Sequence, residues 1–158
     1  WLNNFINNPT NKGLYLTGNF GCGKTFLVAA TFNELAKKNI KSAIVFWPEF
    51  LRDLKLSFET DYEEKMEYVK NVPLLLIDDL GAETATSWSR DEILCPILQH
   101  RMDNNLATFI TSNLPIDSLE QHLSQTKDGV ELIKAKRIIE RIKYLTDEIE
   151  MISKNMRN

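Results

Sequence analysis

The chain has 158 residues, 43% of them hydrophobic and 26% charged, and a formal net charge of −3. That balance suits a single folded domain and excludes a disordered or fibrous chain, and no apolar run approaches the roughly 20 residues that a membrane-spanning helix needs. The slight acidity also argues against a surface that coats nucleic acid by overall charge, although acidic residues gather at Glu59, Asp61, Glu63, Glu64 and Glu67 and basic ones from Lys127 to Lys143.

The chain opens on Trp1, Leu2, Phe5 and Ile6, a helical spacing already under way without an initiating Met. The expectation is one domain over residues 1–158 that forms the C-terminal part of a longer protein. The layout of a secretion signal is missing, so a cytoplasmic location without a membrane partner is expected. Cys22, Cys95, His100 and His122 make no metal-ligand pattern. Short apolar runs follow in order: Leu14 to Thr17, Ala43 to Phe46, Leu74 to Ile77 and Thr108 to Thr111. They are apolar at both parities and bounded by turn residues, the signature of strands buried on both faces. Between and after them, Lys24 to Lys38, Pro48 to Leu56, Asp61 to Lys70, Ser89 to Asn104, Ile116 to Leu123 and Glu131 to Leu145 show helical spacing, and Glu148 to Ile152 suits a last strand. Alternation of this kind predicts an α/β fold with a parallel sheet flanked by helices, whose ligands bind beyond the carboxyl ends of the strands.

Directly after the first strand comes Gly18-Asn19-Phe20-Gly21-Cys22-Gly23-Lys24-Thr25, which fits GxxxxGK[ST] between a strand and a helix. The three glycines let backbone N–H groups turn inward, and the helix that follows adds its positive end to the same anion site. The expected ligand is ATP or ADP with Mg²⁺. Lys24 would reach the β- and γ-phosphates and the Thr25 hydroxyl would take the metal, with Phe26 completing the nucleotide-binding set.

The third strand ends in Asp78 and Asp79, at the same sheet edge as the loop. NTPases with this loop hold Mg²⁺ through the loop Ser or Thr and a strand-end Asp, so Asp78 is assigned to the metal. Asp79 either polarises the attacking water or forms the turn ahead of Gly81. After the fourth strand, Asn113 either hydrogen-bonds the γ-phosphate or orients the water, or serves as an ordinary turn residue before Leu114-Pro115.

The loop, the run Leu75-Leu76-Ile77-Asp78-Asp79-Leu80-Gly81-Ala82-Glu83, the later Thr111-Ser112-Asn113-Leu114 and Arg137-Ile138-Ile139-Glu140-Arg141-Ile142 together resemble the AAA+ domain of bacterial replicative-helicase loaders of the DnaI/DnaC type. Trp47 to Arg52 and Ser89 to Glu92 bring the resemblance closest to the DnaI branch, and the same group includes IstB-type transposition helper ATPases. The resemblance implies a three-layer P-loop NTPase with sheet order 5-1-4-3-2 and ATP held at a boundary between copies. It also implies an arginine finger, carried over to Arg141 with Arg137 as second candidate, and a closing arginine, Arg157, that touches phosphate within its own subunit. The tail Met151-Ile152-Ser153-Lys154 lacks the Gly usual there.

The implied activity is slow ATP hydrolysis coupled to delivery of a hexameric replicative DNA helicase onto single-stranded DNA, with self-association through the ATP site. A transposition helper, a nucleotide-sensing adaptor and a P-loop kinase are the competing readings. Within Pro48 to Leu56, Arg52 and Lys55 are candidates for DNA phosphates, and the nearby Trp47 and Phe58 either stack on bases or belong to the core.

Overall fold

The computed structural model describes residues 2–7 and 12–152. Helix α1 (Leu2–Asn7) precedes strand β1 (Gly13–Gly18), helix α2 (Lys24–Ala36), β2 (Ser42–Phe46), α3 (Trp47–Leu56), α4 (Tyr62–Asn71) and β3 (Leu74–Asp78). A π-helical segment, Trp88–Leu94, runs into α5 (Cys95–Asp103), followed by β4 (Ala107–Ser112), α6 (Ile116–Ser124), the short strands β5 (Gln125–Thr126) and β6 (Gly129–Val130), α7 (Leu132–Leu145) and β7 (Thr146–Met151).

Five strands form one parallel sheet in the order β2-β3-β4-β1-β7. Read from the other edge this is the 5-1-4-3-2 order the resemblance implies, with β7 as the fifth strand. Strand parity builds the layers. Leu16, Leu74, Leu76 and Phe109 point to one face and pack with Val28, Phe32 and Leu35 of α2. Tyr15, Leu75, Ile77 and Ile110 point to the other, where α3 to α7 cover them. Both faces of the central strands are therefore buried, which is why their sequences read as unbroken apolar runs rather than alternating ones. At the edges the cover thins: Ile44 and Phe46 on β2 are 49% and 42% exposed, and on β7 Asp147, Glu148 and Glu150 face solvent.

Three differences from the expected elements have physical causes. The helix expected from Ser89 to Asn104 divides into the π-helical segment and α5. Pro96 lies just after the junction and has no N–H to donate one turn back, and the Cys95 N–H bonds Arg90 O, five residues earlier. The β5–β6 hairpin is too short to carry an alternating pattern and pairs only Gln125 with Val130 and Thr126 with Gly129. Finally, β7 begins at Thr146, not Glu148, because register with β1 extends to Gly13↔Thr146. A Cβ at Gly13 would lie 1.8 Å from Thr108 O, so only glycine lets β1 start beside β4.

Two charged residues take part in the core. Arg101 on α5 is 0% exposed, and its guanidinium donates to Thr108 Oγ1 at 2.8 Å and to the carbonyls of Val69 (3.1 Å), Lys70 (3.1 Å), Val72 (2.8 Å), Pro73 (3.5 Å) and Ala107 (2.7 Å). Burial works against its charge and lowers its proton affinity, while these acceptors offset part of that cost. Arg90, 1% exposed, pairs with Asp91 and Glu131 and donates to Leu123 O at 3.1 Å. It thereby ties the π-helical segment to the start of α7, and the Arg90 hydrogen bond is the main cause holding the Asp91 carboxyl below its ordinary range.

Candidate functional site

The loop after β1 keeps the conformation its glycines permit. Gly18, Gly21 and Gly23 have φ of 144°, 73° and 92°, and a Cβ at Gly18 would meet Met151 O at 2.4 Å. Gly23 caps α2 in the left-handed conformation, and no acidic side chain occupies the first turn of that helix, so its positive end faces the loop without competition.

Lys24 is the first residue of α2 and only 8% exposed. Its Nζ donates to Gly18 O at 2.8 Å, Asn19 O at 3.0 Å and Asn113 Oδ1 at 2.9 Å. On the neighbouring residue, the Thr25 hydroxyl donates to Asp78 Oδ1 at 2.7 Å. The same carboxylate oxygen accepts the Thr111 hydroxyl at 2.6 Å, and Thr111 Oγ1 in turn accepts the Asp79 N–H at 2.9 Å. Asn113 completes the set: its Nδ2 donates to Asp79 Oδ1 at 3.1 Å while its Oδ1 faces Lys24. The ends of β1, β3 and β4 and the start of α2 thus bring Lys24, Thr25, Asp78, Asp79 and Asn113 into one hydrogen-bonded group. Behind them the Tyr15 hydroxyl donates to Leu114 O at 2.6 Å, anchoring the loop after Asn113, and burial raises its pKa far above the ordinary phenol value.

These residues line a cleft of about 560 Å³ together with Phe20, Gly21, Gly23, Phe26, Phe46 and Thr111. The size falls within the range of small-molecule sites. Phe20, Phe26 and Phe46 are 72%, 76% and 42% exposed, so aromatic faces are open to a base at the mouth. Gly18, Asn19 and Cys22, counted in sequence among the nucleotide-binding residues, do not line it. The first two hold Lys24 through their carbonyls, and Cys22, 1% exposed, lies beneath the loop with Sγ 3.7 Å from Lys24 Nζ.

The donor set tests the expected metal. Thr25 and Asp78 offer only hard oxygens, shared across 2.7 Å, and among the described residues no cluster of three or more His, Cys, Asp or Glu side chains forms a site able to hold a metal alone. Two protein oxygens complemented by phosphates suit Mg²⁺. The residues therefore fit the ion that the loop motif implies.

Arg137 and Arg141 sit elsewhere. Both lie on α7, where Arg141 Nε donates to Gln99 Oε1 at 2.7 Å and its Nη1 to Arg137 O at 2.9 Å. α7 ends at Leu145, and Thr146 pairs with Gly13 at the start of β1. Arg141 therefore lies toward the sheet edge opposite the phosphate loop, and neither arginine lines the cleft of its own chain. They border a second groove of about 480 Å³ with Met102, Ile133 and Tyr144. Arg157 lies outside the described residues.

On α3, Arg52 and Lys55 are exposed, and Lys55 Nζ stands 5.1 Å over the Trp88 ring. Trp47 is 1% exposed and packs on Phe50, which corrects the view that it could stack on a base; its indole is the start of the core under α3. Phe58 stays open at 65% exposed, its ring 5.0 Å from Tyr62.

Sequence reading missed Thr111, Phe46 and the buried arginines Arg90 and Arg101. Parity would have found Thr111: it lies two residues before Asn113 near the end of a strand, so both face the same side. Phe46 closes β2 as Asp78 closes β3, and the two are paired in register.

Comparison with known proteins agrees with this geometry. The chain is 46% identical over 160 aligned residues to the replicative helicase loader DnaI of Bacillus subtilis, covering 100% of this chain and 51% of that protein. It thus spans about half the length of the curated relative. A crystal structure of DnaI superposes with a TM-score of 0.85 at 48% identity, covering 99% of this chain and 80% of that one. A crystal structure of the DnaC helicase loader gives 0.78 at 26%, covering 96% and 86%. The model of the family described as IstB-like ATP binding protein matches residues 3–158, and the chain belongs to that family.

Proposed function

We propose that this domain hydrolyses ATP and that the protein containing it is a helicase loader, coupling nucleotide state to delivery of a hexameric replicative DNA helicase onto single-stranded DNA. The observation that carries the hydrolytic reading is the second carboxylate: Asp79 Oδ1 accepts from Asn113 Nδ2 at 3.1 Å, while Asn113 Oδ1 accepts from Lys24 Nζ at 2.9 Å, beside but separate from the acid that faces Thr25. One acid then serves the metal and the other remains to polarise a water, an arrangement that a small-molecule kinase does not require. When bound, Mg²⁺ held by Thr25 and Asp78 would neutralise phosphate charge. Lys24 grips the phosphates, and Asn113 orients the water against Asp79.

The loader reading is supported by the likeness to DnaI along the whole of this chain. The test is co-purification of the full-length protein with the host's hexameric helicase, with and without ATP. Nucleotide-dependent capture is expected. Capture of a transposase in place of the helicase would assign the protein to the transposition helpers instead.

Arg141 is proposed to act across an interface. It does not line its own cleft, and exchange of its bonds to Gln99 and Arg137 O would let it reach the ATP of a neighbouring copy, where a guanidinium stabilises charge developing on the transferred phosphoryl. Arg141→Ala is expected to leave ATP affinity near wild type while lowering hydrolysis, measured as affinity and turnover on the same preparation. Parallel loss of both would place the residue in a structural role.

A further inference from the structure

The loop that leaves β3 has an unusual shape. Asp79 has φ 61°, left-handed for a residue that carries a Cβ, and Gly81 follows at φ 92°. Four backbone N–H groups, of Asp79, Leu80, Gly81 and Ala82, fix this shape. The Asp79 N–H donates to Thr111 Oγ1 at 2.9 Å and the Leu80 N–H to Thr111 O at 2.9 Å, so β4 holds the first half. In the second half the Ala82 N–H donates to Asp79 O at 3.2 Å and the Ser112 hydroxyl to Leu80 O at 2.6 Å, and the Gly81 N–H between them donates to the side chain of Glu83, at Oε2, at 2.8 Å.

Glu83 faces two groups, that N–H and a histidine on α6. Its side chain is 7% exposed, and its other oxygen stands 3.6 Å from His122 Nε2 on α6, an atom without a hydrogen-bond partner among the described residues. The carboxylate is therefore wedged between the turn and α6. It does not line the cleft, whereas Asp78 and Asp79 do. Gly81 is at φ 92°, a conformation that strains any residue with a Cβ, so the turn is braced from outside rather than by a side chain of its own.

We propose that Glu83 is a positioning residue for ATP hydrolysis: by accepting the Gly81 N–H it holds the left-handed turn that aims the Asp79 carboxylate at Asn113 and the cleft. The proposal rests on the reading of Asp79 as the group that polarises water. An acceptor is what the turn needs, not a charge, and that separates Glu83 from a general base.

The test uses the full-length protein as wild type, Glu83→Ala, Glu83→Gln and Asp79→Asn, with three measurements: single-turnover hydrolysis, ATP affinity, and amide hydrogen exchange over residues 80–82. Glu83→Ala is expected to slow hydrolysis roughly tenfold to a hundredfold, the scale of a small misplacement of a reacting group, with ATP affinity within about twofold of wild type. Exchange at Gly81 should accelerate in the same variant. Glu83→Gln, whose amide oxygen accepts the same N–H, should restore most of the rate and the protection. Wild-type turnover in Glu83→Ala overturns the proposal. So does an equal loss in Glu83→Gln, which would make the charge the active feature, or a fall in affinity that parallels the fall in rate. If wild type itself shows no turnover, exchange decides: faster exchange in Glu83→Ala alone supports the bracing of the turn and removes only the hydrolytic reading, and unchanged exchange overturns the inference.

Discussion

At the cleft, Lys24 and Asn113 meet across strand ends that open to solvent, and each bond they make, to Gly18, Asn19 or Asp79, joins groups that a phosphate or a water could also engage. Around α5, by contrast, Arg101 and Arg90 are enclosed, and their partners are carbonyls and carboxylates belonging to loops that must stay in place. Both regions concentrate charge, yet one leaves it within reach of a ligand and the other encloses it in the fold. The lesson is that the number of polar contacts does not reveal function; what matters is whether a ligand can reach and exchange them.

Substitutions should separate the two regions cleanly. Arg101→Met is expected to produce the largest effect, about 3–5 kcal/mol of lost stability by chemical denaturation, because it strips donors from several carbonyls inside the fold. Its residual folded fraction should still bind ATP. Lys24→Ala should do the reverse. Loss of charge-assisted bonds to phosphate should weaken ATP binding roughly a hundredfold by calorimetry, while the denaturation midpoint barely moves.

Arg90→Met comes next, at about 1–3 kcal/mol, the range reduced because Asp91 and Glu131 are partly open to solvent and Lys134 remains beside both. Its effect depends on pH. The folded-state pKa values of Asp91 and Glu131 are depressed, Asp91 chiefly by Arg90 and Glu131 chiefly by Lys134 and then Arg90. Such groups stabilise the fold fully above the unfolded carboxylate range, about pH 4, and lose that contribution as pH falls through the folded values. Wild type should therefore lose stability more steeply than Arg90→Met between about pH 5 and pH 3. Parallel curves would show that the pairs contribute nothing measurable.

The smallest effect belongs to the exposed α3 face. The double variant Arg52→Ala with Lys55→Ala is expected to weaken single-stranded DNA binding several-fold and to flatten its salt dependence by a slope of about one to two, at a stability cost of no more than about 1 kcal/mol from the lost Lys55 contact with Trp88. Binding that ignores both substitutions would dispose of that surface.

The cleft was largely legible in the sequence because its chemistry is local. A phosphate loop, a strand ending in two acids and an Asn at the next strand end are each short strings whose meaning depends on position along a strand. The four central strands were legible for the same reason: burial on both faces leaves an apolar run. The enclosed arginines were not. Arg101 sits in Gln99-His100-Arg101-Met102-Asp103, a polar stretch that reads as a solvated helix face, and only the tertiary placement of the α4–β3 connection turns it inward. Trp47 was ambiguous because an aromatic near basic residues can serve either a base or a core, and the choice depends on which side of α3 meets β2 and β3. Thr111 was hidden by its small size, although its spacing from Asn113 carried the signal.

The outermost strand of the sheet has its own implication. In β7 the exposed acids Asp147, near Lys12 at 3.7 Å, Glu148, which accepts the Ile116 N–H at 3.2 Å, and Glu150 lie along a margin whose backbone would otherwise invite pairing with a second sheet. At neutral pH mutual repulsion fences that margin, steering any joining of copies toward other surfaces. Acid or concentrated salt would lower the fence, and the protein's tendency to stick to itself should rise under those conditions before its fold gives way.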